Sequence, residues 1–230
     1  MNNTLNLKHP NFIVKPRPIK ATWKLCDQLH TKLRQDQASG RVYKSSDTSA
    51  CAIFMIAMID EPNDVRFLHD LLASNSKTIM EPPNIPDQSR IIKPIDRYPC
   101  SSTIDLSDRY HDIRIQPHNV KHTAFCTLDG TYGTRLMQQG ECNAPVTCQK
   151  IMNHDFRDEL VIYVDVYIDD IFIFSKPYEK HLAYLRTLRY GSKPISSIHL
   201  GASHSTCQTT WVYEDTSPAK VASPPYLRSF

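Results

Sequence analysis

The run Leu160-Val-Ile-Tyr-Val-Asp-Val-Tyr-Ile-Asp-Asp-Ile-Phe-Ile-Phe174 constrains this chain more than any other stretch. β-Branched and aromatic residues fill it, and apart from the single Asp165 the apolar pattern breaks at Asp169-Asp170, then resumes. Two strands that each bury a face, joined by a short polar turn, produce that pattern. The turn itself is unusual. Tight hairpin turns favour Asn-Gly or Asp-Gly because their central residues take positive φ, and two adjacent carboxylates repel each other. Taken alone, Tyr167-Ile-Asp-Asp170 reads either as a solvated turn or as a divalent-cation site on a rigid hairpin, since hard cations take carboxylate oxygens. A third carboxylate and a substrate-handling stretch upstream would favour the second reading.

Both are present. Ser102-Thr-Ile-Asp-Leu-Ser-Asp-Arg-Tyr-His-Asp-Ile-Arg-Ile115 puts Asp105 at the end of a short β-like segment, with Tyr110 five residues further on. Between the two carboxylate sites lie Met137-Gln-Gln-Gly-Glu-Cys-Asn-Ala-Pro145 and Gln149-Lys-Ile-Met152. In this order the motifs resemble the palm of a reverse transcriptase of the gypsy-type LTR retrotransposons. Asp105 falls in that family's first carboxylate motif. Gln139-Gly140 and Asn143-Ala144-Pro145 fall in its nucleotide and template motif, and Tyr167 to Asp170 in its Tyr-x-Asp-Asp box. The resemblance runs from Lys15 to Leu188 and is most specific between Ser102 and Ser175.

That resemblance implies an α+β fold of reverse-transcriptase fingers and palm, with an antiparallel palm sheet backed by helices and no thumb. It implies an RNA-directed DNA polymerase from a Pol polyprotein, acting on an RNA or DNA primer-template with deoxynucleoside triphosphates. Two Mg²⁺ ions, with Mn²⁺ as a substitute, would be held by Asp105, Asp169 and Asp170, and the Leu106 carbonyl would lie beside them. Tyr110 would stack beneath the sugar and exclude a 2′-hydroxyl; a core tyrosine is the plain alternative. Gln139 and Gly140 would contact the nucleotide, while Asn143, Pro145 and Gln149 would line the template side. Arg66 lies where the family places an arginine on the triphosphate, and guanidinium geometry suits phosphate oxygens; otherwise it is a surface strand residue. Period-two geometry sets Asp165 on the face of Tyr167 and Asp169, where the family prefers a small or apolar residue.

Elsewhere the sequence describes a soluble chain. A net charge of +3 over 230 residues barely hints at nucleic acid, so such affinity has to come from a local basic groove. Seven scattered cysteines without a Cys-x-x-Cys pair argue against a zinc ribbon or a disulfide framework. The polar Met1–Pro10 lacks a secretory core, and the longest apolar run, Ala50–Ile59, is too short for a bilayer. The expectation is an intracellular protein, cytoplasmic or nuclear, neither secreted nor in a membrane, with its oligomeric state open. Residues 1–40 read as an extended segment and a helix over Ala21–Gln37 stopped by Ser39-Gly40. Residues 41–100 read as fingers, with strands Cys51–Ile59 and Val65–Asp70 around an Asp60–Asp64 turn and a loop and short helix from Glu81. Residues 101–190 read as palm, with an Asp129-Gly130 hairpin turn, a helix capped by Asn143 and another over Lys180–Arg189.

The chain also departs from the family. Ala57-Met58-Ile59 and Leu72 stand where basic fingers residues are usual, and Gln138-Gln-Gly-Glu141 replaces the commoner Pro-Phe-Gly-Leu. Residues 191–230, rich in Ser, Thr and Pro, show neither a primer grip nor a thumb and read as a disordered tail. Two functional readings therefore stay open: a polymerase fragment impaired by truncation, and a non-catalytic remnant that binds nucleic acid weakly or does nothing.

Overall fold

Glycine stops the first helix. In the computed structural model, which describes residues 2–9, 11–15, 23–57, 65–87, 89, 97–106 and 109–190, helix α1 (Trp23–Ala38) ends at Gly40, whose φ is +73°. Gly40 N–H donates to the Gln37 carbonyl at 3.0 Å and Arg41 N–H to the Asp36 carbonyl at 2.9 Å. This paired closure is a Schellman cap, and it satisfies carbonyls that the helix end would leave bare.

The described residues divide into two compact units, one built from 1–83 and 110–147, the other from 84–109 and 148 onward. The segments expected as fingers (41–100) and palm (101–190) each contribute to both. The reason lies in strand pairing. In the first unit, β1 (Val42–Lys44), β2 (Cys51–Ala57), β3 (Val65–His69), β5 (Phe125–Thr127) and β6 (Gly130–Thr134) make one sheet, ordered β1-β6-β5-β2-β3. The β2–β3 pair is antiparallel, with Ala57 opposite Val65. Strand β5 lies parallel to β2, Cys51 opposite Phe125, so a late hairpin is drawn into the early sheet. Leu29 and Leu33 from α1 bury against Val42, Ile53, Phe125 and Tyr132 to form this unit's core. The β5–β6 turn centres on Leu128 and Asp129, one residue earlier than expected, because Gly130 already pairs with Thr127. Short helices α2 (Leu72–Lys77) and α3 (Arg109–Asp112) and a 3-10 helix (Pro117–Thr123) complete the connections.

The second unit holds an antiparallel sheet ordered β4-β8-β7, with β4 (Cys100–Asp105), β7 (Val164–Tyr167) and β8 (Asp170–Ser175). Cys100, Ser102, Ile104, Ile171, Ile173, Ser175, Val164 and Val166 are buried on one face. Helix α5 (Tyr178–Tyr190) covers that face. Leu188 is buried, and His181 is fully buried. Its ring lies between two hydroxyls: Ser102 Oγ at 2.9 Å from Nε2 and Ser175 Oγ at 3.0 Å from Nδ1. Because the Ser175 hydroxyl donates onward to the Pro177 carbonyl, Nδ1 carries the proton and Nε2 accepts from Ser102.

Burial pushes the His181 pKa down from its ordinary value. A base whose folded pKa is lowered contributes stability above the unfolded value, near 6.5, that is lost as pH falls through it. Unfolding midpoints measured between about pH 5 and 7.5 should fall on the acid side, and the fall should shrink in His181→Gln. Equal slopes in parent and variant would assign the acid sensitivity elsewhere.

The Asp60–Asp64 turn, residues 88 and 90–96 of the segment after Glu81 and residues 191–230 lie outside the described residues, as do Met58 and Ile59. No described helix is long and apolar enough to cross a membrane. The six cysteines among the described residues form no disulfide.

Candidate active site

The expected carboxylate hairpin forms, with its turn one residue earlier than Asp169-Asp170. Strands β7 and β8 pair from Val164–Ile173 to Tyr167–Asp170, leaving Ile168 and Asp169 as the two turn residues. On the other side of β8, Asp105 is the register partner of Asp170. Tyr167, Asp170 and Asp105 thus share one rung across three strands. Asp169 is in the turn as expected, whereas Asp170 belongs to β8; the Asp169 carbonyl accepts Leu106 N–H at 3.3 Å. Leu106 itself is buried, whereas Asp169 and Asp170 are half-buried. In β7, Val164 and Val166 are buried while Asp165 and Tyr167 are half-buried, so Asp165 does share the face of Tyr167.

Ile168 carries the strain. Its φ is +57°, a left-handed conformation that costs a β-branched residue about 1–2 kcal/mol. A positive φ at the first of two turn residues is where such hairpins usually place glycine. Helix α4 (Ala144–Asp155) supplies what holds it. Gln149, 1% exposed, accepts Ile168 N–H on Oε1 at 2.8 Å, and its Nε2 donates to the Val166 carbonyl at 3.0 Å and to Asn153 Oδ1 at 2.9 Å. Next to it, the Cys148 thiol donates to the Ile168 carbonyl at 3.4 Å. Burial pushes that thiol up to about 12, with nearby Asp169 adding to the rise, so it stays protonated and inert. Gln149 was expected on the template side; here its amide is spent on the backbone of the hairpin. No sequence signal marks that role, because the bonds join residues on different elements.

The first unit holds the other motif. Gln139 and Gly140 are the exposed central residues of a turn closed by Glu141 N–H to the Gln138 carbonyl at 3.3 Å, and Gly140 has φ +98°. A glycine at the third position is what such a turn requires. Asn75 in α2 clamps the far side: its Nδ2 donates to the Gly140 carbonyl at 2.9 Å and its Oδ1 accepts Cys142 N–H at 3.0 Å. Asn143 does not act as the expected side-chain cap. Its amide donates to the Ile79 carbonyl (2.9 Å) and accepts Glu81 N–H (3.0 Å), pairing with an extended segment as a strand would. Pro145 enters the first turn of α4, and Tyr110 is half-buried in α3. Arg66 sits on β3 opposite Ile56; the side chains of Arg66 and Asp105 lie outside the description. Among the described residues, no group of three His, Cys, Asp or Glu side chains forms a ready-made metal cage.

The family model for reverse transcriptase (RNA-dependent DNA polymerase) matches residues 57–195, more than half of the chain. The chain belongs to the reverse transcriptase family. Enzymes of this family use divalent metal ions. Among curated relatives, the Pol polyprotein from transposon opus of Drosophila melanogaster is 28% identical over 193 residues, which is 82% of this chain and 19% of that protein. The Pol polyprotein from transposon 297 of the same organism is 35% identical over 120 residues, 52% of this chain and 11% of that one. The reverse-transcriptase chain therefore spans less than a fifth of the length of these relatives. In structure it is similar to a foamy viral protease-reverse transcriptase in complex with dsDNA, with TM-score 0.70 and 19% identity over 81% of this chain and 39% of that one. The same viral protein in complex with an RNA/DNA hybrid gives TM-score 0.69. The α+β fold is that of reverse-transcriptase fingers and palm.

Proposed function

We propose that this chain is the fingers-and-palm part of an RNA-directed DNA polymerase from a retrotransposon Pol polyprotein, joining deoxynucleotides to a primer on an RNA or DNA template. The observation that carries the proposal is the shared rung of Asp105 and Asp170 beside the turn residue Asp169. Directly opposed residues of antiparallel strands have their Cβ atoms about 4.5–5.5 Å apart, close enough for carboxylates to share a cation. The donor set fits a hard divalent ion, which takes carboxylate oxygens and keeps phosphate and water as its other ligands. Asp105, Asp169 and Asp170 would hold Mg²⁺, with the Leu106 carbonyl beside them. Bound there, a pair of such ions supplies charge neutralisation for the attacking 3′-oxygen and the leaving pyrophosphate.

The chain's own residues do the positioning. Gln149 fixes the strained hairpin, so the carboxylates are oriented before substrate arrives. Gln139 and Gly140 present the nucleotide-facing turn, Tyr110 limits the sugar, and Arg66 is the residue assigned to the triphosphate. The template side falls to Pro145, with Asn143 holding the loop beside it through its bonds to Ile79 and Glu81. Leu72, 81% exposed at the start of α2 where the family usually has arginine, supports the view that the chain alone holds its substrate weakly.

Primer extension on an RNA template with Mg²⁺ tests this. Slow incorporation that Asp169→Asn abolishes is the expected result. Incorporation that survives Asp169→Asn would reject the assigned site. A complete lack of extension with Mg²⁺ and with Mn²⁺ would favour a non-catalytic remnant.

A further inference from the structure

Glu141 stands beside the Gln139-Gly140 turn, is buried, and bonds in two directions. Its Oε1 accepts Gln138 N–H at 2.9 Å, so the turn that Glu141 N–H closes from one side is closed from the other by the same residue's carboxylate. Its Oε2 accepts Asn3 Nδ2 at 2.8 Å. Asn3, also buried, receives the Thr147 hydroxyl on its Oδ1 at 3.3 Å, which ties the first turn of α4 to the same point. The backbone around Asn3 is anchored in turn: its N–H donates to the Arg114 carbonyl at 2.7 Å, and its carbonyl accepts Gln116 N–H at 2.9 Å. A segment at the start of the chain thus bonds both ends of the 138–147 motif.

We propose that Glu141 and Asn3 are positioning residues for the incoming nucleotide, setting how the Gln139-Gly140 tip is presented and making the N-terminal segment a working part of the site. This rests on the reading of Gln139 and Gly140 as nucleotide contacts. Both carboxylate oxygens accept N–H groups, the pattern of an ionised side chain. Burial opposes that ionisation and lifts the carboxyl to about 7, against the two hydrogen bonds that lower it. Near neutral pH the side chain is therefore divided between a form that accepts both bonds fully and a protonated form whose hydroxyl oxygen accepts only weakly. The titratable side chains lining the small cavity beside it are His122, from the 3-10 helix, and Cys142; the rest are apolar or neutral. Burial lowers the His122 pKa, with Lys121 adding to the fall, so neither neighbour is placed to offset the charge.

The test uses the full chain, dATP with Mg²⁺, and a primer ended by a dideoxynucleotide on an RNA template, so that binding is read without chemistry. Affinity in the parent should fall about three- to tenfold between roughly pH 8 and pH 6, the worth of one hydrogen bond. Glu141→Gln should flatten that step, a comparison that cancels titration of the nucleotide itself. Asn3→Ala should weaken binding by a similar factor above neutrality. Amide exchange at Gln138 gives an independent readout: faster in Glu141→Leu, and restored in Glu141→Gln. The same pH profile in parent and Glu141→Gln would overturn the proposal. If even the parent fails to bind dATP, the polymerase reading fails and exchange alone judges the clamp. Unchanged exchange in Glu141→Leu would then overturn the clamp too, and faster exchange would support it.

Discussion

Gln149→Ala is expected to destabilise the protein by about 3–5 kcal/mol, because it strips a buried amide from several partners at once. Ile168 N–H and the Val166 carbonyl each lose the group that satisfies them, and a buried unsatisfied polar group costs about 1–3 kcal/mol. The void left by the side chain adds to that. A second variant separates clamp from packing. Ile168→Gly removes the left-handed penalty, since glycine tolerates the +57° φ that isoleucine resists. If Gln149 holds a strained turn, its loss should cost less in the Ile168→Gly background. Denaturation of the four proteins of this double-mutant cycle measures the coupling. Strict additivity would mean that Gln149 supports the hairpin without restraining its backbone.

What was legible in the sequence was local. The β-branched and aromatic run from Leu160 to Phe174, interrupted at Asp169-Asp170, marks two strands because such side chains pack well on a pleated surface, although β7 begins only at Val164. Gly40 marks a helix end because a residue without Cβ accepts positive φ. Both signals lie within a few residues of what they specify. The family motifs brought Asp105 into the argument, yet the register that opposes it to Asp170 rather than Asp169 depends on turn length, which the acidic pair alone does not set. Asn143 looked like a helix cap because that is the commonest use of asparagine before a helix; a long-range partner, the backbone at Ile79 and Glu81, won its amide instead. Gln149, Glu141 and His181 were invisible as clamps for the same reason. Each is a polar residue in or beside a helix with at least one partner on a distant segment, and no periodicity announces such bonds. The parallel pairing of β5 with β2 is equally non-local, and it is why segments expected in separate domains share units.

Asp170→Asn should separate stability from activity in opposite directions. The backbone register sets Asp170 opposite Asp105, and like charges directly opposed across antiparallel strands destabilise the pair by about 0.2–1 kcal/mol. Without metal, neutralising one partner should therefore raise stability by about that amount. Activity should move the other way. A group that stabilises charge developing in the transition state is worth about two to three powers of ten in rate when removed, and a carboxylate that helps hold the cation belongs to that class. Metal provides the link between the two effects. A ligand that binds only the folded state stabilises it in proportion to the logarithm of its concentration over Kd, so Mg²⁺ should raise the parent's midpoint more than the variant's. Thermal unfolding of both proteins with EDTA and with graded Mg²⁺, alongside primer extension, tests all three expectations. A variant less stable than its parent in EDTA, or equally stabilised by Mg²⁺, would show that the rung is an ordinary strand end and that the cation, if bound, is held elsewhere.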